Sequence, residues 1–179
     1  MNAPAATADR YDSRTITLHW LTAVLVVGLW TLGETIDFFP KGAPRIAARS
    51  LHICFGVAMA AVLVYRIGWR LGPGTRLPTP ATHRLDGLAP WVHGALYLLL
   101  LSTVLLGLAN VWVRGDTVFG WITIPAFDPA NRDLRETVED WHGLSANLLL
   151  CLAGLHAAAG ILHHVVRRDG VLQRMKPAR

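Results

Sequence analysis

The chain has 179 residues, is 53% hydrophobic, and carries 17 basic against 12 acidic residues. A mean hydropathy of +0.37 is too high for an ordinary soluble domain. The formal charge of +5 does not read as nucleic-acid binding, because the basic residues sort by side of a membrane instead of forming one patch.

Met1 to Asp12 are small and polar and are expected to form a disordered N-terminal arm. They do not resemble a secretory signal, since the first apolar run is long and no small-residue cleavage site follows it. Residues 13–179 are expected to be a single all-α domain, an integral membrane four-helix bundle. Its spans fall near 16–35, 51–71, 91–113 and 143–164, each reaching the roughly 20 residues a bilayer requires.

The first connection, about 36–50, holds Pro40, Gly42 and Pro44, then a helical turn into the second span. The second, about 72–90, contains Gly72, Pro73, Gly74, Pro78 and Pro80 and reads as irregular. The third, about 114–141, is the longest: Ile122 to Pro129 is expected to be extended, and Asn131 to cap a short helix through Asp140. The charges of that helix read as a solvated face.

With four spans, the N-terminal arm, the second connection and the tail share one side and hold 11 basic and 4 acidic residues. The other two connections hold 6 basic and 8 acidic residues. The basic side is expected to be cytoplasmic, with both termini inside and the tail against anionic lipid headgroups. Trp20, Trp69 and Trp91 then fall near inner span ends, and Trp112 and Trp141 near outer ones, as an aromatic belt. Cys54 and Cys151 differ in depth by roughly 10 Å, too far for a disulfide, and read as small packing residues.

Several of the eight histidines are in or beside spans, where ionisable groups are costly. Any single one could be a hydrogen-bonded packing residue; their arrangement is more specific. His142 and His156 are fourteen residues apart, so on one helix they are separated by roughly 21 Å and point to nearly the same face. His52 shares the outer depth with His142, and His19 the inner depth with His156. Two pairs at two depths fit two bis-histidine haems. The absence of C-x-x-C-H excludes covalent c-type attachment, so the haems are expected to be b-type. Gly56, Gly143 and Gly160 lie close to the ligands in sequence, though glycine also serves plain helix packing. His93 is an alternative partner for His156, or a contact for a propionate or a quinone. His163 and His164, at the inner end of the fourth span, suit a quinone headgroup, a proton relay or simply lipid headgroups.

These residues resemble the bacterial cytochrome b561 family, which shares its four-helix core with the cytochrome b subunits of hydrogenases and formate dehydrogenases. The resemblance rests on Leu18-His19-Trp20-Leu21, on Leu51-His52-Ile53 with Gly56 and Arg66-Ile67-Gly68-Trp69-Arg70-Leu71, and on His93-Gly94-Ala95-Leu96-Tyr97 with Gly107. In the fourth span it rests on His142, Gly154-Leu155-His156, His163-His164 and Arg168 to Met175. It covers about residues 13–177. It implies two b haems, the inner one on His19 and His156 and the outer one on His52 and His142. Some members look like superoxide oxidases, which pass an electron from superoxide at the outer face to ubiquinone. Many relatives have a proline in the middle of span three; Ser102 to Leu106 has none, so no kink is expected there.

The expected function is therefore that of a bacterial inner-membrane electron-transport cytochrome, a superoxide:ubiquinone oxidoreductase. Lys41, Arg45 and Arg49 recur every four residues, which on a helix makes a cationic stripe leading to His52. It would attract a small anion such as superoxide, or pair with haem propionates. Ubiquinone would be reduced among His19, His93, His156 and His163. Expected partners are ubiquinone, superoxide or another outer-face donor, membrane lipid and a possible second copy in a homodimer. The alternative is a cytochrome b relay subunit of a hydrogenase or dehydrogenase complex. A haemless transporter with a histidine-lined path fits less well, because the histidines form two levels instead of a continuous path.

Overall fold

A computed structural model describes residues 10–78 and 87–176. Met1 to Asp9 of the expected arm, and His83 and Arg84, lie outside the described residues. Four long helices dominate: α1 (Ser13–Thr35), α2 (Ala43–Leu71), α3 (Ala89–Arg114) and α4 (Arg132–Leu162). All four are long and apolar enough to cross a membrane. A small hairpin pairs β1 (Thr117–Val118) with β2 (Ile122–Thr123) in antiparallel register between α3 and α4.

Local chemistry sets the helix ends. Asp12 caps α1, accepting hydrogen bonds from the Thr15 backbone N–H at 2.9 Å and the Thr15 hydroxyl at 2.7 Å. Its carboxylate also accepts from the Trp69 indole at 3.1 Å and the Thr75 N–H at 3.0 Å. The Tyr11 N–H donates to the Arg174 carbonyl at 3.2 Å. Tyr11 and Asp12, which were expected in the disordered arm, are held in place, because one carboxylate joins α1 to the end of α2. Gly42, at φ +98°, turns the chain into α2, and Pro44 occupies its first turn. α3 runs unbroken, in keeping with the lack of a central proline, and ends at Gly115 with φ +68°. A Cβ at Gly115 would come within 2.9 Å of Ala126 Cβ, so only glycine lets the third connection fold back this closely.

Asn131 caps a helix as expected, accepting from Leu134 N–H at 2.9 Å, but the helix is not short. It continues through Asp140 and Trp141 to Leu162 as one element. The apolar pattern marks the membrane; the helix simply extends about three turns beyond it.

α3 packs against α4 and α1 against α2, the two most extensive pairings. Met59, Leu63, Leu100 and Leu149 form the buried centre, from α2, α3 and α4. Large apolar side chains such as Val24, Val64, Leu98, Leu105 and Leu155 face outward, as a bilayer permits and water does not. Cys54 and Cys151 are both free and exposed on that outer surface, so they are not bundle-packing residues. Ser50 is fully buried; its hydroxyl donates to the Ile46 carbonyl at 2.7 Å and accepts from the Phe119 N–H at 2.7 Å, tying the hairpin down onto α2.

At the end of the bundle that carries the termini, α4 passes into a π turn (His163–Arg167), and a short 3-10 segment (Leu172–Met175) follows. The Trp20 indole donates to the Met175 carbonyl at 2.9 Å, and Arg174 donates to the Pro78 carbonyl at 2.8 Å. The tail thus closes over this end of the bundle, and the hairpin covers the other.

Candidate functional site

Near the hairpin, His52 of α2 faces His142 of α4 with ring centres 6.2 Å apart and planes at 88°. The Thr103 carbonyl is 3.1 Å from His142 Nδ1, so the Nδ1–H is donated there and the Nε2 lone pair is left free. His52 Nδ1 is buried and has no partner in hydrogen-bond geometry, although the Leu29 carbonyl is near it. Two glycines make room for the rings. A Cβ at Gly107 would be 2.9 Å from His142 Cε1, and one at Gly33 would be 3.2 Å from His52 Cε1. Gly56 and Gly143, adjacent to the histidines in sequence, have nothing within 4 Å of such a Cβ, and Gly160 meets only Leu172 at 4.0 Å. The glycines that shape the site are on the facing helices, where a single-helix pattern does not reveal them.

Near the termini, His19 of α1 and His156 of α4 have ring centres 6.3 Å apart. His93 of α3 sits closer to His156, at 5.3 Å. Arg66 joins this group: its Nη2 is 3.4 Å from His19 Nδ1, and its Nε donates to the Tyr97 hydroxyl at 2.9 Å. The guanidinium also lies 5.3 Å over the Tyr97 ring centre. Among the described residues Arg66 has no carboxylate partner. Arg66 lies inside α2, five residues before its end.

These observations test the fit of a b-type haem. Two imidazoles bonded to one metal from opposite sides, through bonds of about 2 Å, have ring centres roughly 6 Å apart. The His52–His142 and His19–His156 separations match that spacing, and His93–His156 is short of it. Among the described residues, no three His, Cys, Asp or Glu side chains converge as they would around an ion held by side chains alone. Paired imidazoles suit a metal already held by a macrocycle, which needs only axial ligands. An arginine without a carboxylate suits a propionate. The residues fit the group.

The cationic residues converge beyond the hairpin-end pair. A cavity of about 230 Å³ is lined by Lys41, Arg45, Arg49 and Asp116, with Gly42, Ile46, Gly115 and Thr117. Only Arg45 and Arg49 belong to α2; Lys41 precedes it, so the expected helical stripe of three is a turn followed by a helix. The three cations also differ in engagement. Arg45 pairs with Asp37 at 3.1 Å and donates to the Asp37 and Phe39 carbonyls at 2.8 Å. Arg49 meets Asp116 at 3.4 Å, and Arg114 reaches Asp116 at 3.6 Å and also pairs with Glu139. Among the described residues Lys41 makes no hydrogen bond or ion pair.

His163 lies at the start of the π turn, with Asp169 Oδ2 2.5 Å from its Nδ1. His164 points elsewhere, into a cavity of about 350 Å³ shared with Arg168, Gly170 and Gln173.

A four-helix membrane bundle with histidines paired between helices at two levels defines a membrane cytochrome b. A family model for prokaryotic cytochrome b561 matches residues 10–178, and the chain belongs to that family. It is thus a multi-pass bacterial membrane protein of electron transfer that binds b-type haem. It is similar to the probable superoxide oxidase CybB of Yersinia pestis, with 34% identity covering 94% of this chain and 96% of that protein. It is also similar to cytochrome b562 of Cereibacter sphaeroides, with 31% identity over 92% of this chain and 94% of the relative. Cytochrome b561 homolog 1 of Escherichia coli K12 is 27% identical over 96% of the chain and 99% of the relative.

Proposed function

We propose that the chain binds two b haems, one between His52 and His142 and one between His19 and His156, and transfers electrons from superoxide to ubiquinone. The observation that carries this reading is the near-equal spacing of the two pairs, 6.2 and 6.3 Å, both hung from α4. Bound haem would supply reversible one-electron chemistry at each level.

The chain's own residues hold and tune these sites. Thr103 fixes the His142 ring, and Gly33 and Gly107 allow the approach of both rings. Arg66, held by Tyr97, would meet a propionate at the second level. His93, whose ring is nearer His156 than the spacing shared by the two proposed pairs, would contact the quinone.

Superoxide is a small anion, and the Lys41–Arg45–Arg49 cavity would raise its local concentration at the hairpin end. Asp116 takes up part of that charge, so Lys41 is the cation most open to an incoming anion. The name of the Yersinia pestis relative supports superoxide as the donor. Ubiquinone would be reduced at the opposite end, among His19, His93, His156 and His163. The excess of basic residues on that side supports its being cytoplasmic.

The test is superoxide-driven haem reduction in the purified protein, followed by ubiquinol formation in vesicles. Lys41→Glu is expected to slow haem reduction several-fold at low salt and to flatten its salt dependence. An unchanged rate with unchanged salt dependence would contradict the steering, and failure of the wild-type protein to form ubiquinol would contradict the reaction.

A further inference from the structure

Just past the end of α4, one more histidine falls in line with the two proposed ligands. His142, Leu149, His156 and His163 recur every seven residues, which places His163 roughly 10 Å beyond His156 along the helix. There the chain stops being an α-helix in an uncommon way. The π turn His163–Arg167 is followed by Arg168 at φ +52° and Gly170 at φ +78°. A left-handed arginine is a strained choice where a glycine would end the helix without cost. The result of this path is that Asp169 turns back onto His163.

The two side chains form a built pair. Asp169 Oδ2 is 2.5 Å from His163 Nδ1, and Asp169 Oδ1 accepts from the Val171 N–H at 3.1 Å, which fixes the carboxylate from its other side. Both side chains are largely out of solvent, at 21% and 12% exposure. Burial works against ionisation of Asp169, but the bonds from His163 and Val171 and the charges of His163 and Arg167 outweigh it and hold the carboxyl below its usual range. An ionised carboxylate only accepts, so Nδ1 carries the hydrogen. Arg167 Nη1, 3.3 Å from Nε2, is placed to donate to the lone pair on that side. The ring is thereby held in one tautomer with Nε2 as its exchanging nitrogen.

We infer that Asp169 is a positioning residue that orients His163 as the proton donor in quinone reduction. This rests on the placement of ubiquinone at the terminal end proposed above. Two superoxide anions each lose one electron and become dioxygen, and the quinone takes up both electrons and two protons. For the first proton the His163 Nε2–H bond breaks and an O–H bond forms at a quinone carbonyl oxygen, while Asp169 keeps Nδ1–H throughout. The electron pair left on Nε2 then takes a proton from surface water, and the ring delivers the second proton in the same way. Protonation of Nε2 requires Arg167 to give up its contact there.

The experiment uses the haem-loaded protein in lipid nanodiscs, supplied continuously with superoxide and mixed with a short-chain ubiquinone. Asp169→Asn is expected to lower kcat for quinol formation at least tenfold, with quinone KM within twofold and an unchanged haem spectrum. Asp169→Glu should restore most of the rate, and in a His163→Gln background Asp169→Asn should add no further loss. With ¹⁵N-labelled histidine, the far-downfield Nδ1 proton of His163 should be present in the wild type and Asp169→Glu and displaced upfield in Asp169→Asn. An Asp169→Asn variant with wild-type kcat overturns the inference alone. Equal losses in the Asn and Glu variants accompanied by lost haem reduce Asp169 to a structural staple and overturn it too. A wild-type protein that ubiquinone does not reoxidise overturns the quinone placement itself, and the proton resonance then still reports whether Asp169 holds Nδ1–H.

Discussion

Which nitrogen of each histidine is already engaged decides what that ring can do. His142 gives Nδ1–H to the Thr103 carbonyl, which leaves Nε2 for the proposed haem, whereas His163 gives Nδ1–H to a carboxylate, which leaves Nε2 for the proposed proton transfer. Two identical side chains, one within α4 and one just past its end, would thus be set to different tasks by the acceptor each ring meets, a backbone carbonyl or a side-chain carboxylate. Gly107 shows how tight the first arrangement is. Gly107→Ala would put a methyl group 2.9 Å from His142 Cε1, and the ring, tethered to Thr103, must leave its position to relieve the contact. Absorption spectra should show the hairpin-end haem lost or altered and the other unchanged. Gly28→Ala, where nothing lies within 4 Å, should leave both unchanged. Intact spectra in Gly107→Ala would mean that His142 does not need its present position. Histidine depth was legible in the sequence because helix rise converts residue number into distance. The roles of Gly33, Gly107 and Asp169 were not, since each acts across a tertiary contact that no local spacing encodes.

At the scale of elements, helix ends carry the connections between helices. Asp12 caps α1 and at the same time receives Trp69 of α2 and Thr75 beyond it. Burial opposes ionisation of this carboxyl, but hydrogen bonds from Thr15, Thr75 and Trp69 prevail and hold it well below the 3.8 of an ordinary aspartate. A carboxyl depressed in the folded state contributes stability that is present above its unfolded value and is lost as pH falls toward the folded one. Asp12→Ala should therefore lower thermal stability at pH 6, by about 1 kcal/mol for the cap alone. The difference from wild type should shrink at pH 3. Circular-dichroism melts of the two proteins in detergent check this, and an equal difference at both pH values would contradict it. The sequence marked the Asn131 cap correctly and ended its helix too soon, because Arg132 to Asp140 look like a separate solvated segment. A helix continues wherever its backbone bonds do, and the apolar stretch only marks the membrane-embedded length of α4. Asp12 was read as part of a loose arm for a related reason: the apolar pattern begins near residue 16, so no helix start shows beside it, and its bonds to Trp69 and Thr75 are remote.

For the whole molecule, the two ends of the bundle differ in what they present. One carries a cationic cavity beneath a hairpin, and the other a histidine cluster closed by the tail. α4 spans both, with fourteen residues between its ligands, so the proposed sites are separated by roughly the thickness an electron must cross. The account requires that each level hold one haem and that α4 serve both. The most direct measurement is the haem-to-protein ratio, with reduced-minus-oxidised spectra, of the wild type and single alanine variants in membranes. The expected ratios are two for the wild type and for His93→Ala, and one for each of His19→Ala, His52→Ala, His142→Ala and His156→Ala. A wild-type ratio of one, or a His93→Ala variant that loses a haem while His19→Ala keeps both, would contradict it.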